Sequence, residues 1–447
     1  MALRSSTTRV TAARMAAFRA LLAMERSSNT HCDDLLRAPA MESLTQADRN
    51  LTTALVMGVL RWQLALDTVL ARYLQRTSRL DDAVAIALRL GAWQLLGMDR
   101  IPAHAALAES VELTKVSGHP FASGLVNAVL RRIAENRSAI TLDPVSAHPA
   151  WMIESWRRQF GLEAATSIAA YDQETPSATV RLSSGTGSGG NVGAESMPPG
   201  VFLTRARRLP AGKTAPEGQR IQDEGSQLVA ELAGRVGMRI LDCCAAPGGK
   251  TAILAENNPQ AEITACDISE SRLNAMRRSF AREPLTAKVH CVLADATELP
   301  FGDGAGISGN FDLILCDAPC SGTGTLARNP EIKLRLSAND LPRQQERQIA
   351  ILRSAYRVLV SGGRLVYSTC SLEPQENARV IQSLLALEPT ARLLDVGERL
   401  SAMHAEGSLH SDGARLLRES AWRNGYLQTL PGLLPCDGFF AAILTRQ

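Results

Sequence analysis

The sequence contains no CxxC pair, no GxGxxG motif between a predicted strand and a helix, and no run of apolar residues approaching the roughly 18 that cross a membrane. The first absence argues against a structural zinc site, and no bound metal is expected. The second disfavours a dinucleotide site, because that fingerprint forms the turn that holds a pyrophosphate. No secretory apolar segment is present either, so the nine cysteines are expected to be reduced thiols of a cytoplasmic protein.

A complete phosphate-binding loop is also missing, although its last residues are present. Gly249, Lys250 and Thr251 match the end of that motif, but Cys244 occupies the position where the motif requires its first glycine. A nucleotide hydrolase is therefore disfavoured. Hydrophobic residues make up 45% and charged residues 21% of the chain, which is typical of a globular protein with a sizeable core.

Positive charge is concentrated at the front of the chain, although the net charge is only +3. Residues 1–140 carry 17 basic and 12 acidic side chains, whereas residues 223–447 carry 23 basic and 26 acidic ones. This uneven distribution favours a nucleic-acid partner for the front of the chain. The basic clusters that would contact RNA are Arg76 with Arg79, and Arg131, Arg132 and Arg137.

Apolar spacing divides the chain into a helical front and an α/β second half. Apolar residues recur every three to four positions from residue 8 to about 137, which predicts helices. Residues 138–150 form a predicted linker, residues 151–170 a further amphipathic helix, and residues 183–200 a low-complexity surface loop. The predicted domains are 1–140, a connector at 141–222 and a third domain at 223–447.

From Gln222 onward, strands alternate with helices, which predicts a parallel sheet with crossover connections. Residues 404–414 are expected to form an irregular insertion. The predicted strands are Arg239–Cys243, Glu262–Asp267, Lys288–Leu293, Phe311–Asp317, Gly363–Ser368 and one near Gly438–Leu444. The predicted helices are Thr251–Glu256, Glu270–Ala281, Leu341–Val358 and Gln375–Leu387.

Acidic residues follow three successive strands, at the edge where such sheets bind ligands. A turn of small residues at Pro247, Gly248 and Gly249 precedes a helix start, which allows backbone N–H groups to approach a ligand. Asp267 is placed to bind a ribose diol, and Asp295 to face the amine of an adenine. These features favour S-adenosylmethionine, whose cation Asp317 or Asp242 would attract.

Two thiols follow neighbouring strands, Cys320 after Asp317 and Cys370 after the strand that ends near Ser368. Cytosine C5 is a poor nucleophile, but a thiolate that adds to C6 makes C5 reactive, and a base must afterwards remove the C5 proton. Two cysteines and an acid supply those roles, with Lys250 as the positive neighbour that favours a thiolate. The residues alone leave open which cysteine attacks, since either thiol suits that role.

In combination, these motifs resemble the RNA cytosine-C5 methyltransferases of the Sun/RsmB family. The matching segments are QDEGSQ (222–227), LDCCAAPGGKT (241–251), ACDIS (265–269), DAPCSGTGTLARNPEIK (317–333), YSTCSLEPQEN (367–377) and DGFFAA (437–442). The helical front, with RNLTTALVMGVLRWQLALDTVL (49–70) and ASGLVNAVLRRI (122–133), is similar to the RNA-binding NusB domain. The resemblance implies an α/β fold: a Rossmann-like S-adenosylmethionine-dependent methyltransferase domain behind an all-α NusB-like domain.

The family also implies roles for individual residues. Cys370 would be the nucleophile and Cys320 would assist proton removal or product release, while Asp317 would contact the methionine end or the target cytosine. Asp267 would bind the ribose, with Arg272 close by, and Asp295 would lie near the adenine. The remaining residues that would line the S-adenosylmethionine site are Cys244, Ala245, Ala246, Pro247, Gly248, Gly249 and Lys250.

The expected partner is ribosomal RNA of the small subunit, before assembly is complete, with neither DNA nor a membrane involved and the protein a monomer. One alternative is a NusB-like RNA-binding or assembly protein whose methyltransferase domain is only a scaffold. Another is a small-molecule methyltransferase, although that function explains neither the front domain nor the paired cysteines. The base that reacts must leave its stack, so a flipped or unpaired cytosine is expected.

Overall fold

A computed structural model describes residues 10–27, 30–74, 80–182, 196–210, 213–216, 219–283, 285–301 and 310–447. The chain forms a helical unit, Met1–Glu174 with Leu326–Arg335, and an α/β unit, Thr175–Thr325 with Leu336–Gln447. The domain boundaries at 140 and 222 stay predictions. Arg76, Arg79 and most of the predicted loop at 183–200 lie outside the described residues.

The helical unit packs its apolar residues into two buried clusters. One surrounds Phe18 and Leu55, and the other surrounds Leu88 and Leu130. Its α-helices are Ala12–Arg26, Cys32–Leu36, Pro39–Glu42, Gln46–Ala71, Asp82–Gly97, Ala103–Val116, Ser123–Glu135, Ala150–Phe160, Leu162–Tyr171 and Ile332–Arg335. Its short 3₁₀ helices are Pro120–Ala122, Arg137–Ala139 and Val145–Ala147.

Two details of the helical unit qualify the sequence-based expectations. The helix predicted over 151–170 is two helices, because Gly161 takes φ of +90°, which ends the first one. Gln46–Ala71 is, within the part of the chain that the structure describes, the one helix long and apolar enough to cross a membrane. However, 56% of its most apolar window is buried inside the protein, as in the core helix of a soluble domain.

In the part of the α/β unit that the structure describes, the strands form two sheets. A small antiparallel sheet has the order β2–β1–β3, from β1 (Thr179–Arg181), β2 (Ala206–Arg208) and β3 (Arg220–Ile221). The strands of the large sheet are β4 (Arg239–Asp242), β5 (Glu262–Asp267), β6 (Lys288–Leu293), β7 (Phe311–Asp317), β8 (Leu359–Thr369), β9 (Ala391–Leu394), β10 (Trp422–Arg423), β11 (Tyr426–Gln428) and β12 (Phe440–Arg446).

The large sheet has a parallel core in the order β6–β5–β4–β7–β8, and β12 runs antiparallel beside β8. Strand β7 is buried on both faces: Leu313 and Leu315 join one apolar cluster, and Ile314 and Cys316 join the other. This alternation explains why its sequence is a continuous apolar run. The predicted Rossmann-like sheet is confirmed.

Helices cover both faces of the large sheet. Residues 404–414 were predicted to be irregular, and residues 406–410 are, but the other six belong to the ends of two helices, in which Leu400, Met403, Ala414 and Leu417 recur at helical spacing and are buried. The α-helices of this unit are Glu224–Ala233, Gly249–Asn257, Glu270–Arg282, Leu341–Arg357, Ala378–Leu387, Val396–Ala405 and Ser411–Ser420. Its 3₁₀ helices are Ala296–Glu298, Thr323–Thr325 and Ala338–Asp340.

The segment Leu326–Arg335 belongs to the helical unit, although it follows the Cys320 loop in sequence. Arg61 donates a hydrogen bond to the Ala327 carbonyl at 2.7 Å, and Lys333 Nζ donates to the Arg61 carbonyl at 2.7 Å. Lys333 is only 1% exposed, and this burial lowers its pKa to about 7. The end of the motif 317–333 is thus part of the helical core.

Candidate active site

The loop between β4 and the helix Gly249–Asn257 forms a tight turn of small residues. Gly248 takes φ of +103°, a conformation that side chains rarely adopt. A Cβ at this position would also lie 2.7 Å from Met276 Cγ. Both features require glycine here, and they bring the start of the helix next to the end of β4.

The acids predicted to bind the nucleoside follow β5 and β6. Asp267 is buried, and its carboxylate accepts hydrogen bonds from the backbone N–H groups of Ala246 (3.2 Å) and Ser269 (2.9 Å). Arg272 lies 3.6 Å from Asp267 Oδ2 and donates to the Ala246 carbonyl. Asp295 is exposed, and hydrogen bonds from the backbone and hydroxyl of Thr297 lower its pKa.

Asp317, the last residue of β7, is held by two side chains. Lys250 Nζ lies 2.7 Å from Asp317 Oδ2, and Ser368 donates to Oδ1 at 2.7 Å. Burial is the largest single influence on the pKa of Lys250 and lowers it, but the charge and hydrogen bond of Asp317, with negative charge at Cys370 and Asp242, together outweigh it and raise that pKa. Lys250 is therefore a cation at neutral pH.

The two predicted active-site thiols lie side by side, with Cys320 Sγ 3.5 Å from Cys370 Sγ. The parallel pairing of β7 with β8 accounts for this, because it sets Asp317 opposite Ser368 and both cysteines come shortly after those positions. The hydrogen bond with Cys370, followed by burial, raises the pKa of Cys320 well above its ordinary value. All nine cysteines are free thiols.

Glu376, a buried carboxylate without a role predicted from the sequence, contacts the loops that carry these thiols. Glu376 is 0% exposed and accepts hydrogen bonds from the loops that follow both cysteines. It belongs to the segment YSTCSLEPQEN (367–377), which contains two acids, Glu373 and Glu376, and nothing in the sequence distinguishes the one that contacts the thiol loops.

Asp242, at the end of β4, is a second carboxylate whose burial is incompletely compensated. Thr251 donates to Oδ2 at 2.7 Å, but Oδ1 has no hydrogen-bond partner among the described residues. Burial is the main reason that the pKa of Asp242 rises from 3.8 to about 7, and the Thr251 hydrogen bond acts in the opposite direction. A cationic ligand beside Asp242 would offset this unfavourable burial.

Two cavities contain nearly all the predicted site residues. One, of about 220 Å³, is lined by residues that include Asp267, Arg272, Asp295, Cys320 and Cys370. The other, of about 330 Å³, is lined by residues that include Asp242, Cys244, Ala245, Ala246, Pro247, Gly249 and Lys250. Asp317 lines both, and Gly248 lines neither. No cluster of metal-binding side chains occurs among the residues described.

The parallel sheet with its antiparallel β12, the glycine turn after β4 and the acids that follow β5, β6 and β7 define a Rossmann-like methyltransferase. Its cofactor is S-adenosylmethionine. The chain belongs to the family of 16S rRNA methyltransferases RsmB/F, which residues 229–445 match. Residues 11–135 match the NusB family, so the predicted all-α NusB-like domain is confirmed.

Relatives match over nearly the whole chain. The ribosomal RNA small subunit methyltransferase B of Pseudomonas putida is 34% identical over 437 residues, which cover 92% of this chain and 96% of that protein. The probable ribosomal RNA small subunit methyltransferase B of Bacillus subtilis is 31% identical over 466 residues, covering 98% and 99% of the two chains.

Solved structures show the same fold. The crystal structure of PH0851 has a TM-score of 0.76 at 20% identity, over 97% of this chain and 98% of that one. The structure of NSun6 from Pyrococcus horikoshii with SFG has a TM-score of 0.52 at 19% identity, over 67% of this chain and 98% of that one.

Proposed function

We propose that this protein methylates C5 of a cytosine in small-subunit (16S) ribosomal RNA through a covalent bond between Cys370 and C6 of the base. The observation that carries the proposal is the pair of thiols 3.5 Å apart, in a cavity that Asp317 also lines. A methyltransferase for oxygen or nitrogen atoms needs no thiol, because those atoms are nucleophiles themselves. Carbon C5 requires one thiol to activate it and a base to remove its proton.

The cofactor site is proposed to lie around the two cavities. Asp267 would hold the ribose hydroxyls and Asp295 would lie near the adenine, with Arg272 beside them. The turn from Cys244 to Lys250 would hold the methionine end, and the buried oxygen of Asp242 that has no partner among the described residues fits a cationic group. Bound S-adenosylmethionine would supply an electrophilic methyl group; the remaining roles belong to residues of this chain.

Cys370 is proposed as the attacking thiolate because the family resemblance assigns it that role and because the cation of Lys250 is within electrostatic reach. Negative charge at Cys370 is one of the causes that raise the pKa of Lys250. The thiolate would form the S–C6 bond, and the electron pair of the C5–C6 double bond would become available at C5. Asp317 would contact the base or the cofactor while paired with Lys250 at 2.7 Å.

Cys320 is proposed to remove the C5 proton. Its hydrogen bond with Cys370 is the largest cause of its raised pKa, and the negative charge of Cys370 adds to it. Both causes disappear once Cys370 is bonded to C6, so Cys320 then loses its proton more readily and becomes available as a base. Removal of the C5 proton restores the C5–C6 double bond and expels Cys370 as a thiolate.

The RNA substrate is proposed from the family and from the front of the chain. The relatives from Pseudomonas putida and Bacillus subtilis carry names that state action on small-subunit ribosomal RNA. Arg131 and Arg132 are exposed on the helix Ser123–Glu135, where they are available to phosphates. We expect the protein to act on unassembled RNA, in the cytoplasm, as a monomer and without a role for DNA.

The test follows tritiated methyl transfer from S-adenosylmethionine to an unmodified 16S rRNA transcript, with denaturing gels to detect protein bound to RNA. Cys370→Ala should abolish both transfer and the covalent complex. Cys320→Ala should accumulate the complex, because the C5 proton stays in place. Cys291→Ala is the matched control, since it removes a partly buried thiol outside both cavities and should leave transfer unchanged.

If Cys370→Ala accumulates the covalent complex and Cys320→Ala loses both methyl transfer and the complex, the two roles are reversed. RNA binding by the wild-type protein without any methyl transfer would instead support the scaffold alternative. Methylation of a small molecule with no modification of RNA would contradict the proposed substrate.

A further inference from the structure

The buried carboxylate of Glu376 connects the two loops that carry the thiols. The backbone N–H of Ser321 donates to Oε1 at 2.8 Å, and the Ser321 hydroxyl donates to Oε2. The hydroxyl of Ser371 donates to the same Oε2 at 2.5 Å. Gln348 adds a hydrogen bond from Nε2 to Oε1 at 3.0 Å.

These contacts fall immediately next to the reacting sulfurs. Ser321 follows Cys320 and Ser371 follows Cys370, so a single carboxylate binds the residue after each thiol. We propose that Glu376 is the positioning residue that sets the distance between the Cys320 and Cys370 sulfurs. This inference rests on the proposed function, in which both thiols act on one base.

The sheet alone does not fix this distance. The register of β7 with β8 ends at Asp317 and Ser368, and Cys320 lies in irregular chain beyond that point. Farther along, the Gly324 N–H donates to the Cys370 carbonyl at 2.9 Å, and the Leu372 N–H donates to the Thr323 hydroxyl at 2.9 Å. These bonds reach Cys370 and Leu372 from residues three and four positions after Cys320. Glu376, together with a 3.2 Å contact between the Ser321 and Ser371 hydroxyl oxygens, joins the residues that directly follow each thiol.

A carboxylate is suited to this position because every contact made to it comes from a donor. Its two oxygens accept four hydrogen bonds from Ser321, Ser371 and Gln348, all of them neutral groups. A glutamine would be tolerated, because its amide could donate to the two serine hydroxyls, which also accept hydrogen bonds. Glu376→Ala instead removes all four acceptor contacts, so at least one loop should move away.

The experiment measures the distance between the thiols chemically, in the purified full-length protein without RNA. Diamide accepts the two electrons and two protons that two thiols release when they form one S–S bond. Peptide mapping by mass spectrometry then gives the rate at which Cys320 becomes linked to Cys370. The same variants are assayed for methyl transfer at saturating RNA and S-adenosylmethionine.

We expect Glu376→Ala to slow the Cys320–Cys370 link at least tenfold and to lower kcat on the order of 100-fold, the scale of a 1 Å misplacement of reacting groups. The KM for RNA should change little, because Glu376 is fully buried and does not reach the substrate. Glu224→Ala is the matched control. Glu224 is equally buried and accepts three backbone N–H groups, of Val201, Phe202 and Leu203, far from the thiols in sequence.

A wild-type linking rate in Glu376→Ala would overturn the inference, and so would equal slowing by Glu224→Ala, which would indicate a general loss of structure. If Glu376→Ala does not fold, Ser321→Ala and Ser371→Ala each remove one contact and should each slow the link, whereas unchanged rates in both would overturn the inference. The linking rate needs no catalysis. A wild-type protein that links its thiols but methylates no RNA would therefore contradict the proposed function and leave the positioning role intact.

Discussion

The substitution Asp242→Asn tests the electrostatics of the site through its effect on stability. Asp242 is 1% exposed, accepts a hydrogen bond from Thr251, and has one oxygen without a partner among the described residues. Because burial raises its pKa from 3.8 to about 7, the folded chain holds a proton on Asp242 at pH values where the unfolded chain has lost it. Asparagine keeps the shape of the side chain but cannot ionise.

The size of the effect follows from that shift. The stability from this group is fully present below about pH 4 and is lost as the pH rises through about 7. A shift of about three pKa units, at about 1.4 kcal/mol per unit, gives at most about 4 kcal/mol. The free energy of unfolding of the wild-type protein should therefore fall more steeply across this window than that of Asp242→Asn.

The assay is urea unfolding at a series of pH values, followed by hydrogen-exchange mass spectrometry of peptides from the α/β unit. Thr251→Val provides a second variant, since it removes the hydroxyl that favours ionised Asp242 and should extend the fall to higher pH. Wild-type and Asp242→Asn profiles that stay parallel from pH 4 to pH 8 would refute a raised pKa for Asp242.

Three further predictions concern other parts of the chain. Burial lowers the pKa of Lys333 to about 7, so the free energy of unfolding of the wild-type protein should rise by at most about 4 kcal/mol between pH 7 and pH 10, and Lys333→Met should lack this rise. Urea unfolding of both proteins at the two pH values checks this, and an equal change in both would contradict it. Replacing Arg131 and Arg132 by alanine should reduce the slope of log Kd for RNA against log salt by about 1 to 2, whereas Arg415→Ala should leave that slope unchanged. Gly324→Ala should lower the free energy of unfolding by about 1–3 kcal/mol in a denaturation assay and impair methyl transfer, because its Cβ would lie 2.2 Å from the Gly438 carbonyl oxygen. Gly124→Ala is the control and should be tolerated, because its Cβ would meet open space.

The sequence predicted the α/β half closely because its strands carry an unambiguous pattern. The predicted β5, β6 and β7 have the same bounds as the observed ones, since each is a short segment of strand-forming residues between polar turns. Strand β8 begins earlier than predicted, at Leu359, because Gly362, with φ of +74°, is accommodated within the strand. Such irregularity depends on tertiary contacts that a local pattern does not contain.

The candidate site was predictable as a set of residues but not as a network. Strand ends in a parallel sheet meet at one edge, so Asp317, Cys320 and Cys370 could be grouped from the sequence alone. The contacts of Glu376 could not be predicted, because they join residues about fifty positions apart through irregular loops. Nor does any local pattern indicate that Leu326–Arg335 belongs to the helical unit.

The most direct test of the central claim is the release of tritium from C5 of cytosine. A 16S rRNA transcript that carries [5-³H]cytidine is incubated with the purified protein and S-adenosylmethionine, and tritium in water is compared with methyl groups incorporated into RNA. Methylation at C5 expels the C5 hydrogen, so one tritium should be released for each methyl group transferred, and Cys370→Ala should release none. Methyl incorporation without release of tritium would show that another atom is modified and would contradict the proposed chemistry.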